Sequence, residues 1–253
     1  MHPERRALMV GRTVEALRGL IEELEITNDE WYAALEFLTE VGARDEFILL
    51  SDVNGLSVLV DDVTHGSEEA GGTPSNVLGP FYIPDAPLLD SPARICRPDE
   101  PGEPLVVGGV VRDTGGEPLP GAVVDTWQTA ANRRYENQDP DQPEMNLRGR
   151  IRVASDGSYE LRTVRPVPYE IPTDGPVGRF LAAFGRHAWR PAHLHFKVEA
   201  PGYRPLTTMV YIADDPWLDD DAIGSVKTRL VVPVEDGGDG SSTVRFDFTL
   251  VPA

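Results

Sequence analysis

The stretch RPAHLHFKV, residues 190–198, decides how the chain is read. Successive side chains on a β-strand point to opposite faces, so His193 and His195 share one face while Leu194 and Phe196 take the other. The apolar face suits a core. The other face carries two imidazoles, a common grip on a metal ion because neutral histidine is a frequent ligand. The spacing alone leaves a second reading open, a hydrogen-bonded pair of histidines beside a core.

Comparable β-rich runs lie at residues 105–111, 122–127, 158–164, 207–212 and 243–250, punctuated by turn signals such as Gly115-Gly116 and Asp156-Gly157. Many short strands separated by turns predict an antiparallel β-sandwich. Upstream the period changes. Val14, Leu17, Leu20, Ile21 and Leu24 recur on one helix face. Thr27-Asn28-Asp29-Glu30 reads as a capping box, with Trp31, Leu35, Leu38 and Val41 following on one face. A third helical stretch runs over residues 51–63, and Gly71-Gly72-Thr73-Pro74 ends the pattern. The expected layout is a helical part over residues 1–75 and a β-sandwich over residues 76–253. Residues 235–242 read as an acidic, glycine-rich surface loop.

The formal net charge is −19, and such a surface repels phosphate backbones, so nucleic acid is not an expected partner. The single cysteine, Cys96, cannot form an internal disulfide and gives no sign of an oxidising compartment. No apolar run approaches the length of a membrane span, and MHPERRALMVGR lacks the apolar segment of a signal peptide. The expectation is a cytoplasmic protein.

A zinc site built on the two histidines needs further ligands. His2 is terminal, His65 adjoins a Gly-Ser break, and His187 lies six residues upstream on an apparent loop. Two tyrosines stand in unusual contexts. Tyr169 lies in RPVPYEIPTDGPVG, stiffened by prolines 166, 168 and 172, and Tyr135 lies in the polar loop NRRYENQDPDQPEMNLRG. Loop tyrosines are usually surface or half-buried residues. Tyr159, in DGSYELRT, alternates like a strand core residue.

RPAHLHF, RPVPYEIPTDGPVG, GRHAWRPAH, NLRGR, VLGPFY and EFILLSD together resemble the intradiol ring-cleaving dioxygenases of aromatic catabolism. The likeness spans nearly the whole chain. Its helical N-terminal part resembles the catechol and hydroxyquinol branch, and PVPYEIPTDGPVG leans toward hydroxyquinol 1,2-dioxygenase. The resemblance implies a β-sandwich of mixed topology with a helical part that dimerises, in some members with a lipid between the helices. It implies one Fe(3+) per chain held by Tyr135, Tyr169, His193 and His195. A phenolate is a hard anionic donor, unlike the ligands of the two-His-one-carboxylate ferrous sites. It further implies that Tyr169 leaves the metal when the diol chelates it and accepts a substrate proton, while Arg190 stabilises charge developing on the ring. Without the resemblance, Arg190 reads first as a surface arginine closing a loop salt bridge.

Leu49, Asp52, Val77, Leu78, Gly79 and Pro80 would line the substrate pocket, with Asp52 facing a ring substituent such as a third hydroxyl. Asp52 alone reads equally as a solvated acid near a helix start. Met209, in LTTMVYI, departs from the family, where catechol enzymes usually carry Gln and hydroxyquinol enzymes often His. A thioether accepts weakly and donates nothing. The implied activity is cleavage of an aromatic diol by O2 to a muconate-type dicarboxylate, maleylacetate from hydroxyquinol. Two other classes fit parts of the sequence: a non-catalytic sandwich that only binds, suggested by GEPLPGAVVDTW, and a zinc hydrolase built on the two histidines.

Overall fold

The computed structural model describes residues 1–66, 71–238 and 240–253. The backbone packs as two units, residues 1–46 and residues 47–253.

The first unit holds α1 (Pro3–Leu24) and α2 (Asn28–Ala43). Proline at the first turn starts α1, where its missing N–H costs nothing. The capping box begins α2 as its sequence predicts. The Thr27 side chain accepts from the Glu30 N–H, and the Glu30 carboxylate accepts from the Thr27 N–H at 2.8 Å. The apolar stripe of α1 is open, with Val14, Leu17, Leu20 and Leu24 each at least 42 % exposed.

The third helical stretch read from the sequence is two helices, α3 (Phe47–Val53) and α4 (Leu56–His65). Gly55, at φ +69°, takes the left-handed conformation that breaks them. Lys227 and Ser75 reach α4 at Asp62 and Asp61, at 2.6 and 2.7 Å, and fix the helix within the second unit.

Fourteen strands follow among the described residues: β1 (Leu88–Asp90), β2 (Ala93–Arg94), β3 (Pro104–Asp113), β4 (Val123–Trp127), β5 (Arg148–Arg152), β6 (Ser158–Val164), β7 (Tyr169–Glu170), β8 (Trp189–Arg190), β9 (His193–Glu199), β10 (Leu206–Ile212), β11 (Val231–Val232), β12 (Glu235–Asp236), β13 (Ser242–Arg245) and β14 (Phe248–Leu250). One sheet runs β1-β5-β4-β9-β10-β11, and the other β12-β13-β3-β6-β2 with β14 added to β3. The central pairs are antiparallel, as the alternation and turns suggest. Five pairs, β1/β5, β10/β11, β13/β3, β14/β3 and β2/β6, are parallel, so the sandwich is of mixed topology.

The two sheets share one core, in which Leu105, Val107 and Leu161 of one meet Val124, Ile151, Leu194, Phe196 and Val198 of the other. The run read as one strand over 243–250 is two, β13 and β14. The ends of the acidic 235–242 stretch are paired, Glu235 with Thr243 and Asp236 with Ser242, because the glycines between them close a hairpin. Asp239 of that stretch lies outside the described residues. A short helix, α5 (Pro176–Ala183), begins in the last three residues of the proline-rich motif that carries Tyr169 and runs beyond it. Among the described residues no helix is long and apolar enough to cross a membrane.

Candidate metal centre and substrate cavity

Strand β9 is buried on both faces. Leu194 and Phe196 fill the sandwich core, and His193 and His195 are equally covered on the opposite side, each 2 % exposed. Antiparallel register sets their neighbours: Trp127 of β4 and Met209 of β10 flank His195, and Tyr211 faces His193. Trp127 stacks on the His195 ring at 4.7 Å with an interplanar angle of 10°.

Two tyrosines come to these histidines from outside the sheets. Tyr169 begins β7, which pairs with β8 so that Tyr169 lies opposite Arg190. Tyr135 precedes a 3-10 turn, Glu136–Gln138, and its backbone N–H donates to Gln138 Oε1 at 3.0 Å. The turn is fastened to the sheet by a buried ion pair between Glu136 and Arg148 of β5, at 2.5 Å. Phe81 stacks on the Tyr135 ring at 4.6 Å. Both tyrosines are buried, so the surface reading of a loop tyrosine does not hold here.

Four donor atoms converge. The Tyr135 and Tyr169 hydroxyls are 3.4 Å apart, the His193 and His195 Nε2 atoms 3.2 Å, and His195 Nε2 and the Tyr135 hydroxyl 3.1 Å. Metal–ligand bonds of about 2.0–2.1 Å put neighbouring ligands roughly 3.0–3.4 Å apart, so these spacings fit one shared ion. His193 Nδ1 donates to the Pro191 carbonyl at 2.7 Å, which leaves the Nε2 lone pair facing the cluster. Burial first, and then the Arg190 charge, pull the His193 pKa down to about 3. Burial and the neighbouring His193 hold His195 well below its usual value. Both rings are neutral at pH 7, as ligands must be. Burial, reinforced by Tyr169, pushes the Tyr135 phenol well above its ordinary pKa. A cation at this point would reverse that preference and favour phenolate. Among the described residues, no group of three or more His, Cys, Asp or Glu side chains is placed to hold a metal, so a donor set here has to draw on the two phenols.

Arg190 is buried beside the cluster. Its Nη1 lies 3.4 Å from both the Tyr169 hydroxyl and His193 Nε2, and its Nη2 reaches Met209 Sδ at 3.5 Å. Its other edge is paired with Asp221, which the sequence did not single out. Phe81, Trp127, Glu136 and Arg148 were missed as well. The alternation of VVDTW marks Trp127 only as a strand residue, since nothing local gives its register against His195.

A cavity of about 490 Å³ has none of the four donors in its lining and comes near them through Gly79, beside His195. Asp52, Val77, Leu78 and Gly79 line it with Ile48, Ser57 and Val60. Leu49 is buried and Pro80 exposed, and neither belongs to its lining. Met209 is not part of that lining either; it sits beside His195 and Arg190 instead. Gly79, at φ +73°, lies so close to His195 that an added Cβ would stand 3.3 Å from its Cε1. Burial raises the Asp52 pKa, against a hydrogen bond from Ser57 and the charge of Arg190. A larger groove of about 770 Å³ runs along β3, β6 and β13, but its lining holds no histidine and neither tyrosine of the donor cluster.

The mixed sandwich thus brings two buried phenols, two buried imidazoles and an arginine together at one point. Residues 77–252 match the family described as "Dioxygenase", and residues 4–72 match "Catechol dioxygenase N terminus". The chain is 44% identical over 221 residues to hydroxyquinol 1,2-dioxygenase of a Rhizobium species, covering 85% of this chain and 74% of the relative. It is 41% identical over 243 residues to chlorocatechol 1,2-dioxygenase of Rhodococcus opacus, covering 93% of each. The solved structure of hydroxyquinol 1,2-dioxygenase from Pseudomonas putida superposes with a TM-score of 0.91 at 42% identity, over 100% of this chain and 94% of that one. The chain belongs to the intradiol ring-cleaving dioxygenases, in the branch of hydroxyquinol and catechol 1,2-dioxygenases.

Proposed function

We propose that this enzyme cleaves hydroxyquinol between its two adjacent hydroxyl-bearing carbons, using O2, at a ferric ion held by Tyr135, Tyr169, His193 and His195. The observation that carries the proposal is the convergence of those four donor atoms at 3.1–3.4 Å. Bound ferric ion would chelate the diol as a dianion and activate its ring toward oxygen.

The chain's own residues do the rest. Tyr169, as phenolate, accepts a proton from an incoming hydroxyl. Arg190 Nη1, already 3.4 Å from the Tyr169 hydroxyl, faces the place where negative charge develops on the ring. Tyr135, His193 and His195 keep their positions because the aromatic stacks of Phe81 and Trp127 brace Tyr135 and His195. Those rings also exclude water. Asp52 accepts a hydrogen bond from the third hydroxyl at the cavity wall. Both oxygen atoms enter the product, maleylacetate.

Met209 favours a second reading, with catechol or chlorinated catechols as substrates. Fully buried on the His195 face, it makes that corner apolar and pliable. Leu49 and Pro80 remain proposed pocket residues in the diol-bound enzyme. The same reading gives a cytoplasmic homodimer joined through the helical part, residues 1–75, with the open apolar stripe of α1 at the contact and space for a lipid between helices.

Metal analysis, the visible spectrum and a panel of hydroxyquinol, catechol, pyrogallol and chlorocatechols test the proposal. About one iron per chain, a red-brown phenolate band and the highest kcat/KM on hydroxyquinol are expected. Colourless zinc protein without turnover would end the proposal, and a preference for catechol would move it to the second reading. Light scattering at twice the chain mass tests the dimer.

A further inference from the structure

The loop between β10 and β11 does more than connect strands. Asp221 Oδ1 accepts from Arg190 Nε at 3.1 Å, and its Oδ2 lies 3.5 Å from Nη2. Ser225 Oγ is 2.8 Å from that Nη2 and donates to Asp221 Oδ2 at 2.8 Å. The Ser225 backbone N–H adds a third bond, to Asp221 Oδ2 at 3.0 Å. One edge of the guanidinium, Nε with Nη2, is thus held by a forked carboxylate. Only Nη1 is left to face Tyr169 and His193.

The carboxylate is itself referenced to the backbone that carries Arg190. The Ala222 N–H donates to the Trp189 carbonyl at 2.9 Å, and the Ala192 N–H donates to Asp215 Oδ2 at 2.9 Å. The Trp217 ring stacks parallel to Trp189 at 5.5 Å. Residues on both sides of Arg190 are therefore pinned to the same loop that supplies its counter-ion. Burial pushes the Asp221 pKa up, but the Arg190 charge and the hydrogen bonds from Arg190 and Ser225 together outweigh it and hold the carboxyl below its usual value.

We propose that Asp221, backed by Ser225, is a positioning residue that locks the Nε–Nη2 edge of Arg190 and thereby aims Nη1 at the reacting diol. This rests on the reading of Arg190 as the group that meets the ring's developing charge. Without the fork, rotation about the last side-chain bond would carry Nη1 away from Tyr169. A misplacement on the order of 1 Å in such a group costs roughly a hundredfold in rate.

The test is a double-mutant cycle on the iron-loaded, full-length enzyme, with Asp221→Asn, Arg190→Ala and the pair. Diol affinity is measured without oxygen from the visible spectrum, kcat with oxygen, and thermal melting on the metal-free protein. Asp221→Asn is expected to lower kcat about ten- to a hundredfold, with a smaller change in diol affinity, and to have no further effect on kcat once Arg190 is alanine. Asp221→Glu should restore part of the loss. Ser225→Ala, a milder change, should lower kcat in the same direction and serves if Asp221→Asn does not fold. Equal losses from Asp221→Asn in both backgrounds would make Asp221 merely structural and overturn the proposal. Undiminished kcat in Asp221→Asn, or in Ser225→Ala where that variant stands in for it, would overturn it while leaving the role of Arg190 intact. Undiminished kcat in Arg190→Ala would overturn both.

Discussion

Glu136→Ala tests how the loop that carries Tyr135 is held. The Glu136 and Arg148 side chains are 7% and 2% exposed and 2.5 Å apart, so removing the carboxylate leaves a guanidinium in the interior without its counter-charge. Arg148 Nη1 already lacks a hydrogen-bond partner, and the remaining contact to Asn137 Oδ1 is long, at 3.3 Å. Breaking a buried pair on one side costs about 3–5 kcal/mol. The Met145 N–H also loses its acceptor, Glu136 Oε1 at 3.2 Å; a bond of that kind is worth about 1 kcal/mol. For a unit of this size each kcal/mol moves the melting point by about 2–4 °C, so a drop of about 8–24 °C is expected. Calorimetry reads the melting point, and the visible band reports whether Tyr135, one residue away, still reaches the metal. Joint replacement, Glu136→Gln with Arg148→Met, should recover most of the stability because no charge is left stranded. A Glu136→Ala protein that melts within about 1 °C of the parent would refute the reasoning and assign the anchoring of Tyr135 to Phe81 and Gln138.

Tyr135→Phe and Tyr169→Phe should each alter the ferric-phenolate band, checked by visible spectroscopy beside iron analysis; a spectrum unchanged by both removes them as ligands. Gly79→Ala, at φ +73° and with its new Cβ 3.3 Å from His195, should lose about 1–2 kcal/mol and shift the same band, read by melting and by absorbance. Asp52→Ala should reduce kcat/KM for hydroxyquinol more than for catechol, since a buried acceptor discriminates against a substrate lacking its donor; equal losses would free Asp52 from that role. Because burial raises the Asp52 pKa, its stabilising contribution is present below about pH 4 and is lost as pH rises through the raised value. Asp52→Asn should therefore gain stability relative to the parent as pH rises, which urea unfolding at several pH values would show.

What the sequence discloses follows from what is periodic. The alternation of residues 193–198 places two imidazoles opposite two core side chains with no help from elsewhere, and the Thr27 capping box fixes the start of α2 from four residues. Tyr135 and Tyr169 have no such signal. Each sits in an irregular segment, and their meeting depends on a turn tied to β5 and on a two-residue pairing with β8, so only family likeness singles them out. The parallel pairs are equally silent, because a strand's sequence does not state which edge it will join. Nothing local distinguishes Asp221 from its acidic neighbours Asp219 and Asp220; only the path of the loop brings one carboxylate of the three to Arg190.

The two-sided burial of β9 has a consequence for anyone reshaping this enzyme. The histidines are mounted on a partition whose reverse side is the sandwich interior, so a volume change at Leu194 or Phe196 presses on the two imidazoles from behind as directly as one made in front of them. The partition cannot be re-tuned without disturbing the structure it closes. The segments carrying Asp52, Val77, Leu78 and Gly79 hang in front of it and border open space. Redesign for a bulkier or differently substituted ring therefore has its freedom in that hanging wall, and the imidazole side should be treated as fixed masonry.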